Sequence, residues 1–267
     1  MLSAVRLPAD ADIHAPELPP RLAWLNAPFM RMATLLGRHA VLLEFWDFAR
    51  INSVRTLPYL QAWHERYADA GLQVIGVHSP GYSFGRDPAL VERAVEQLGV
   101  RHPVVLDPAL EVWQLYGNRG WPGRYLFDRT GKLRDVHYGE GAYAETERAI
   151  QECLAELDDD FVPQPILEPL RPEDAEGALL EPQTADIALP ADRERLELVR
   201  DWTAGGDYIE AADAGAAATF TFTAGGAYAV LSGGELEPGL YETDGTVTAA
   251  SPGVRLHGVQ FAPLPPL

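Results

Sequence analysis

The sequence holds a single cysteine, Cys153, in 267 residues. A lone cysteine cannot close an internal disulfide, so nothing in the chain calls for an oxidising compartment. Residues 1–20, MLSAVRLPADADIHAPELPP, show neither an apolar run of signal-peptide length nor a cluster of positive charge, and no later stretch reads as an uninterrupted membrane span. The expected location is therefore the cytoplasm, with no membrane insertion. Basic residues are scarce: 21 Lys/Arg face 39 Asp/Glu, for a formal net charge of −18. Residues 1–164 carry 16 basic and 22 acidic side chains, or −6, and residues 165–267 carry 5 and 17, or −12. Phosphate binding needs basic patches that are missing here, which excludes nucleic acid and anionic membrane as partners; the acidity is expected to serve solubility. The seven histidines lack H-x-x-x-H or H-E-x-x-H spacing, so neither a metal site nor a cofactor is expected. There is no G-x-S-x-G elbow and no repeat of fixed period.

What is present is globular: 47% of residues are hydrophobic and 22% charged, which excludes disorder of the whole chain. The chain centres on residues 41–59, VLLEFWDFARINSVRTLPY. An apolar run from Val41 to Trp46, broken by Glu44, reads as a strand covered on both faces. From Ser53 the apolar spacing turns helical (Val54, Leu57, Leu60, Trp63, Tyr67) and lasts to about Gly71, with Ser53 or Asn52 as cap and a kink expected at Pro58. A buried strand that opens into a helix is where many α/β folds place their chemistry, because the free N–H groups of the first turn face the crevice beyond the strand ends.

The flanking segments complete an α/β unit. Residues 1–20 read as an N-terminal arm, and Arg21 to Leu36 as a short strand and turn at the sheet edge. Leu72 to Val77 is a strand, Pro88 to Leu98 a helix stopped by Gly99, and Val104 to Leu106 a short strand. Arg124 to Asp128 and Leu133 to Tyr138 form a hairpin, and Ala144 to Leu157 a closing helix with Cys153 on its inner face. The proline-rich residues 161–172 read as a linker. Beyond them, alternating runs such as Ala218 to Thr223 and Ala227 to Leu231, separated by Gly-Gly, Pro-Gly and Asp-Gly, indicate an antiparallel β-sandwich over residues 173–267.

FWDFARINSVRTLPYL, IGVHSPGYSF, YGNRGWPGRYLFD and HYGEGAYAETER, in that order, resemble the thioredoxin-like domain of DipZ-type thiol:disulfide interchange proteins. RDWTAGGDYIEA and SPGVRLHGVQFAP are similar to the β-sandwich of carbohydrate-binding-module type that follows that domain in some members. The resemblance implies a thioredoxin-like mixed sheet flanked by helices over residues 21–160, followed by a small β-sandwich. It also implies site positions. Arg50 stands where the nucleophilic cysteine would be and Ser53 where the resolving cysteine would be; Glu44 matches the buried carboxylate that assists proton transfer, and Trp121-Pro122 the loop beside the dithiol, with Pro122 cis.

Thiol exchange needs a thiolate to attack and a second thiol to resolve. Neither arginine nor serine supplies one, and Cys153 is expected to be a small buried hydrophobe. The leading expectation is thus a redox-inactive protein that binds a peptide, protein or small anionic ligand in a vestigial groove lined by Trp46, Arg50, Asn52, Ser53, Trp121 and Pro122. Arg50 with Ser53 and the backbone near Asn52 would suit a carboxylate or phosphate. Two alternatives stand beside it: a thiol:disulfide oxidoreductase as the resemblance implies, and a glycan- or protein-binding β-sandwich using Trp202, Tyr208, Tyr228 or Tyr241.

Overall fold

The computed structural model describes residues 12–265, so the first eleven residues of the expected arm lie outside the described residues. The elements of the first half are β1 (Trp24–Leu25), α1 (Met32–Leu35), β2 (Ala40–Trp46), α2 (Ile51–Tyr67), β3 (Leu72–His78), α3 (Pro88–Gln97), β4 (Val104–Leu106), α4 (Glu111–Leu115), β5 (Gly123–Phe127), β6 (Leu133–Tyr138) and α5 (Tyr143–Leu157). They build one sheet in the order β1-β4-β3-β2-β5-β6. The β2/β3 and β3/β4 pairs are parallel, while β1/β4, β2/β5 and β5/β6 are antiparallel. This is a thioredoxin-like mixed sheet flanked by helices. Every residue of β2 is buried, as expected of a central strand covered on both faces. Its Leu42 and Trp46 face α2 with Leu57, Leu60 and Trp63, and its Val41, Leu43 and Phe45 pack on the other side with Val105, Val112 and Phe127.

The α2 helix starts two residues earlier than the periodicity predicts. Its N-cap is Arg50, with no side-chain cap, and it runs unbroken through Pro58. Ser53 is not the cap: its Oγ accepts from the Asp47 N–H at 3.3 Å and is fully buried. Residues 12–20 are pinned rather than free, since Ala15 and Leu133 exchange backbone bonds across the arm with Gly131 and Ile13, and Leu18 is buried.

The second half is antiparallel: β7 (Ile187–Ala188), β8 (Glu197–Val199), β9 (Trp202–Ala204), β10 (Ile209–Ala211), β11 (Ala217–Thr219), β12 (Gly226–Gly233), β13 (Gly239–Thr243), β14 (Thr246–Thr248) and β15 (Val254–Ala262). One sheet runs β13-β12-β15-β10-β9, with β7 also on β15; the other runs β14-β11-β8. Of the ATFTFT run only Ala218 and Thr219 are in a strand, and Phe220 packs into the core with Phe222 against it. Phe222 and Phe261 lie 5.4 Å apart between ring centroids.

The proline-rich stretch is strapped down. Leu167 N–H donates to Glu147 Oε2 at 2.9 Å, Leu170 N–H to Tyr59 Oη at 2.8 Å, and Tyr59 Oη to Asp174 Oδ2 at 2.8 Å. Arg55 reaches Glu140 at 2.8 Å and Glu173 at 2.7 Å, both from a half-buried position. These bonds tie residues 165–174 to α2 and α5 and set where the second half begins. Among the described residues no helix is long and apolar enough to cross a membrane.

Candidate functional site

The site forms where β2 opens into α2. Asp47, fully buried, organises the turn: its carboxylate accepts from Ala49 N–H at 2.9 Å and Gly81 N–H at 2.6 Å, and His78 Nε2 lies 3.6 Å away. Burial alone would favour the neutral acid, but the attraction of His78 and the two backbone donors outweighs it and holds the carboxyl below the usual range. His78 in turn stacks on Phe48 at 5.4 Å. His137 sits on β6, three strands from the β3 that carries His78, with Nε2 against the Glu140 carbonyl at 3.0 Å.

Arg50 extends from this turn but does not project freely into solvent. Its guanidinium lies 4.6 Å from the Tyr82 ring centroid and 4.7 Å from that of Trp121. A cation between two aromatic faces is held by their quadrupoles and loses little freedom when it binds. Trp121 is itself fixed, packed at a 40° tilt against Trp113 with ring centroids 4.3 Å apart and donating its Nε1–H to the Ser79 carbonyl at 2.8 Å. The Trp121-Pro122 bond is cis, as the resemblance implies. Gly81 allows the close approach: a Cβ there would sit 2.8 Å from Arg50 Nε and 3.1 Å from Asp47 Oδ2. Arg50 Nε is buried and without a hydrogen-bond partner, and Arg50 forms no ion pair among the described residues.

The first turn of α2 carries a partner the sequence did not suggest. Ile51 N–H donates to Gln260 Oε1 at 2.8 Å, and Gln260 Nε2–H donates to the Ala49 carbonyl at 2.8 Å and to Tyr82 Oη at 3.0 Å. A side-chain amide from β15 thus satisfies backbone groups that an anion or a substrate segment would otherwise meet. The only available hint was a polar residue inside the apolar run LHGVQFA. Gln260 reaches across because Tyr228, Val230 and Leu240 share its face of the sheet, and Val230 and Leu240 pack on the core of the first half. Nearby, Ser83 N–H and Oγ–H donate to Asp207 at 2.7 and 3.0 Å, and Phe84 packs edge-on to His257.

Of the groove residues expected from sequence, the structure brings together Arg50 and Trp121, while Pro122, next to Trp121 in the chain, is buried. Trp46 and Ser53 are fully buried and offer no groove surface, and Asn52 is half-buried with its Oδ1 unpartnered. Glu44 is fully buried, with neither carboxylate oxygen hydrogen-bonded, and Arg124 Nε lies 4.0 Å from it. Burial pushes the Glu44 pKa up to about 8 despite that guanidinium. The cation that faces it is Arg124, the residue opposite it in the β2/β5 register. Cys153 is buried on α5, away from the β2–α2 turn, and burial pushes its thiol pKa up to about 12. The tyrosines and Trp202 of the second half do not form one platform: Trp202 is core, Tyr208 stacks on Arg255, and Tyr228 and Tyr241 sit at the junction with the first half. Among the described residues no group of His, Cys, Asp and Glu is placed to hold a metal.

No protein-family model matches the chain. "Protein DipZ" of Mycobacterium bovis is 39% identical over 143 residues, covering 52% of this chain and 20% of that protein. "Thiol-disulfide oxidoreductase YkuV" of Bacillus subtilis is 27% identical over 143 residues, covering 54% of this chain and 95% of that protein. A solution structure of a thioredoxin-like protein in the oxidised form superposes with a TM-score of 0.50 at 26% identity, covering 55% of this chain and 98% of that one. The chain thus spans about a fifth of the length of the DipZ protein it matches. About half of it has the thioredoxin-like fold of thiol:disulfide oxidoreductases of the DipZ type.

Proposed function

We propose that the chain is a redox-inactive thioredoxin-like protein in which Arg50, at the position of the missing nucleophile, receives the carboxylate of a peptide, a protein or a small molecule. The observation that carries this reading is the Arg50 guanidinium held between Tyr82 and Trp121, with no ion pair of its own among the described residues. A guanidinium is always charged and its planar donors match a carboxylate, so a pre-ordered one favours that ligand. The loss of chemistry follows from Arg50 and Ser53 having no thiol, and from Cys153 being buried with its thiol protonated at neutral pH. In this reading residues 21–160 are the binding unit. Residues 173–267, a β-sandwich of carbohydrate-binding-module type, act as its fixed cover through Gln260.

Calorimetric titration of the full chain with N-acetyl dipeptides tests the binding half of the reading. Saturable heat that is lost in Arg50→Ala is the expected result; equal heats in the two proteins would refute it.

A further inference from the structure

A cavity lies beside the α2 start, lined by Ile51 and Val54 but not by Arg50. It is a cleft of about 570 Å³ between α2 and α3 on one side and the β12–β13 hairpin on the other. That volume is in the range of drug-sized ligand sites, which favour domain junctions. Its floor is apolar, with Ile51 and Val54 from α2 and Leu90 and Ala94 from α3, while Tyr228 and Leu240 form the opposite wall. Tyr228 is turned toward the cleft because the β12/β13 register places it on the face shared by Val230, Leu240 and Glu242, the face that docks on the first half.

The charges at the mouth are unbalanced. Arg93 is neutralised by Glu237 at 2.9 Å, whereas Glu242 lines the same mouth, exposed, and makes no ion pair among the described residues. An anionic ligand would meet an uncompensated carboxylate in a protein of net charge −18. A cation would meet Glu242 as its counter-ion, with the Tyr228 side chain lining the same cleft.

We propose that this cleft binds a small aromatic or apolar molecule bearing one positive charge, its ring against Val54, Leu90 and Tyr228 and its ammonium group at Glu242. The site is independent of the carboxylate reading of Arg50 and selects the opposite charge. The burial available to a bicyclic ring provides affinity, and the carboxylate provides the choice between cation and anion.

The test is a calorimetric comparison of two probes of one shape, 2-naphthylmethylamine and 2-naphthoate, on the full chain. The amine is expected to bind at least about tenfold more tightly, equivalent to about 1.4 kcal/mol. Glu242→Gln, at an exposed position that leaves the fold intact, should bring the two probes to within about threefold of each other. Val54→Trp, which fills the floor, should abolish both. No binding of the amine to the wild type, tighter binding of naphthoate, or an unchanged preference in Glu242→Gln would each overturn the proposal.

Discussion

Gln260 and Ile51 stand 209 positions apart in the sequence and are joined by a 2.8 Å hydrogen bond from the Ile51 N–H to the Gln260 side-chain carbonyl. The same amide returns a hydrogen bond to Ala49, so one residue of β15 closes both backbone groups of the α2 entrance. Replacing it with alanine strands a buried donor and acceptor. Gln260→Ala is expected to cost about 1–3 kcal/mol of stability in denaturant titration and to raise the protease sensitivity of the junction between the halves. An unchanged unfolding midpoint together with an unchanged cleavage pattern would show that the amide does not hold the halves together.

Glu44 makes stability depend on pH. Its carboxyl titrates near 4.5 in the unfolded chain and near 8 in the folded one. The folded state therefore holds a proton that the unfolded state releases, and stability is lost as pH rises from about 4.5 to about 8. Glu44→Gln keeps the neutral shape and removes the titration. At pH 7 the variant is expected to be more stable than wild type by on the order of 3 kcal/mol, with the two converging at pH 4. Parallel stability curves across that range would contradict the assignment.

Burial of Cys153 holds its thiol pKa at about 12. In disulfide exchange the cysteine thiolate attacks a sulfur of the reagent and expels the other as a thiolate, and the thiolate fraction of Cys153 at pH 8 is on the order of a thousandfold below that of an ordinary cysteine. Labelling should be slow in the native protein and complete within the mixing time in denaturant. Fast native labelling would place this thiol within reach of substrates.

Gly81→Ala tests the clamp on Arg50. The added Cβ would press on Arg50 Nε and Nη2 at 2.8 Å and on the buried Asp47 Oδ2 at 3.1 Å, so the guanidinium must shift from its place between Tyr82 and Trp121. The expected outcome is a stability loss of about 1–3 kcal/mol with carboxylate affinity reduced several-fold. Full affinity in this variant would mean that the aromatic clamp is not what prepares the guanidinium.

The sequence conveyed the parts of this architecture whose signals are local. The apolar run of β2 and the helical spacing of α2 identify those elements because burial on both faces and burial on one stripe leave different periods. The turn residues between β5 and β6 mark the hairpin in the same way. The relationships that define the site are long-range. Glu44 meets Arg124 through strand register, and Arg50 meets Tyr82 and Trp121 through three separate loops. Trp46 and Ser53, which the resemblance to a thioredoxin-like groove leads one to expect there, are directed into the core by alternation along β2 and by the first turn of α2. Gln260 had no local reason to be singled out, since its role depends on how one sheet face docks on a helix start.

The central claim is that a thioredoxin-like frame survives here without thiol exchange. Insulin reduction by dithiothreitol, followed by turbidity with the full chain as catalyst, addresses it most directly, with the double substitution Arg50→Cys and Ser53→Cys as the reference for a restored dithiol. Wild type and Cys153→Ser are expected to stay at the uncatalysed rate while the double variant accelerates precipitation. Turnover by the wild type well above background, lost in Cys153→Ser, would contradict the account.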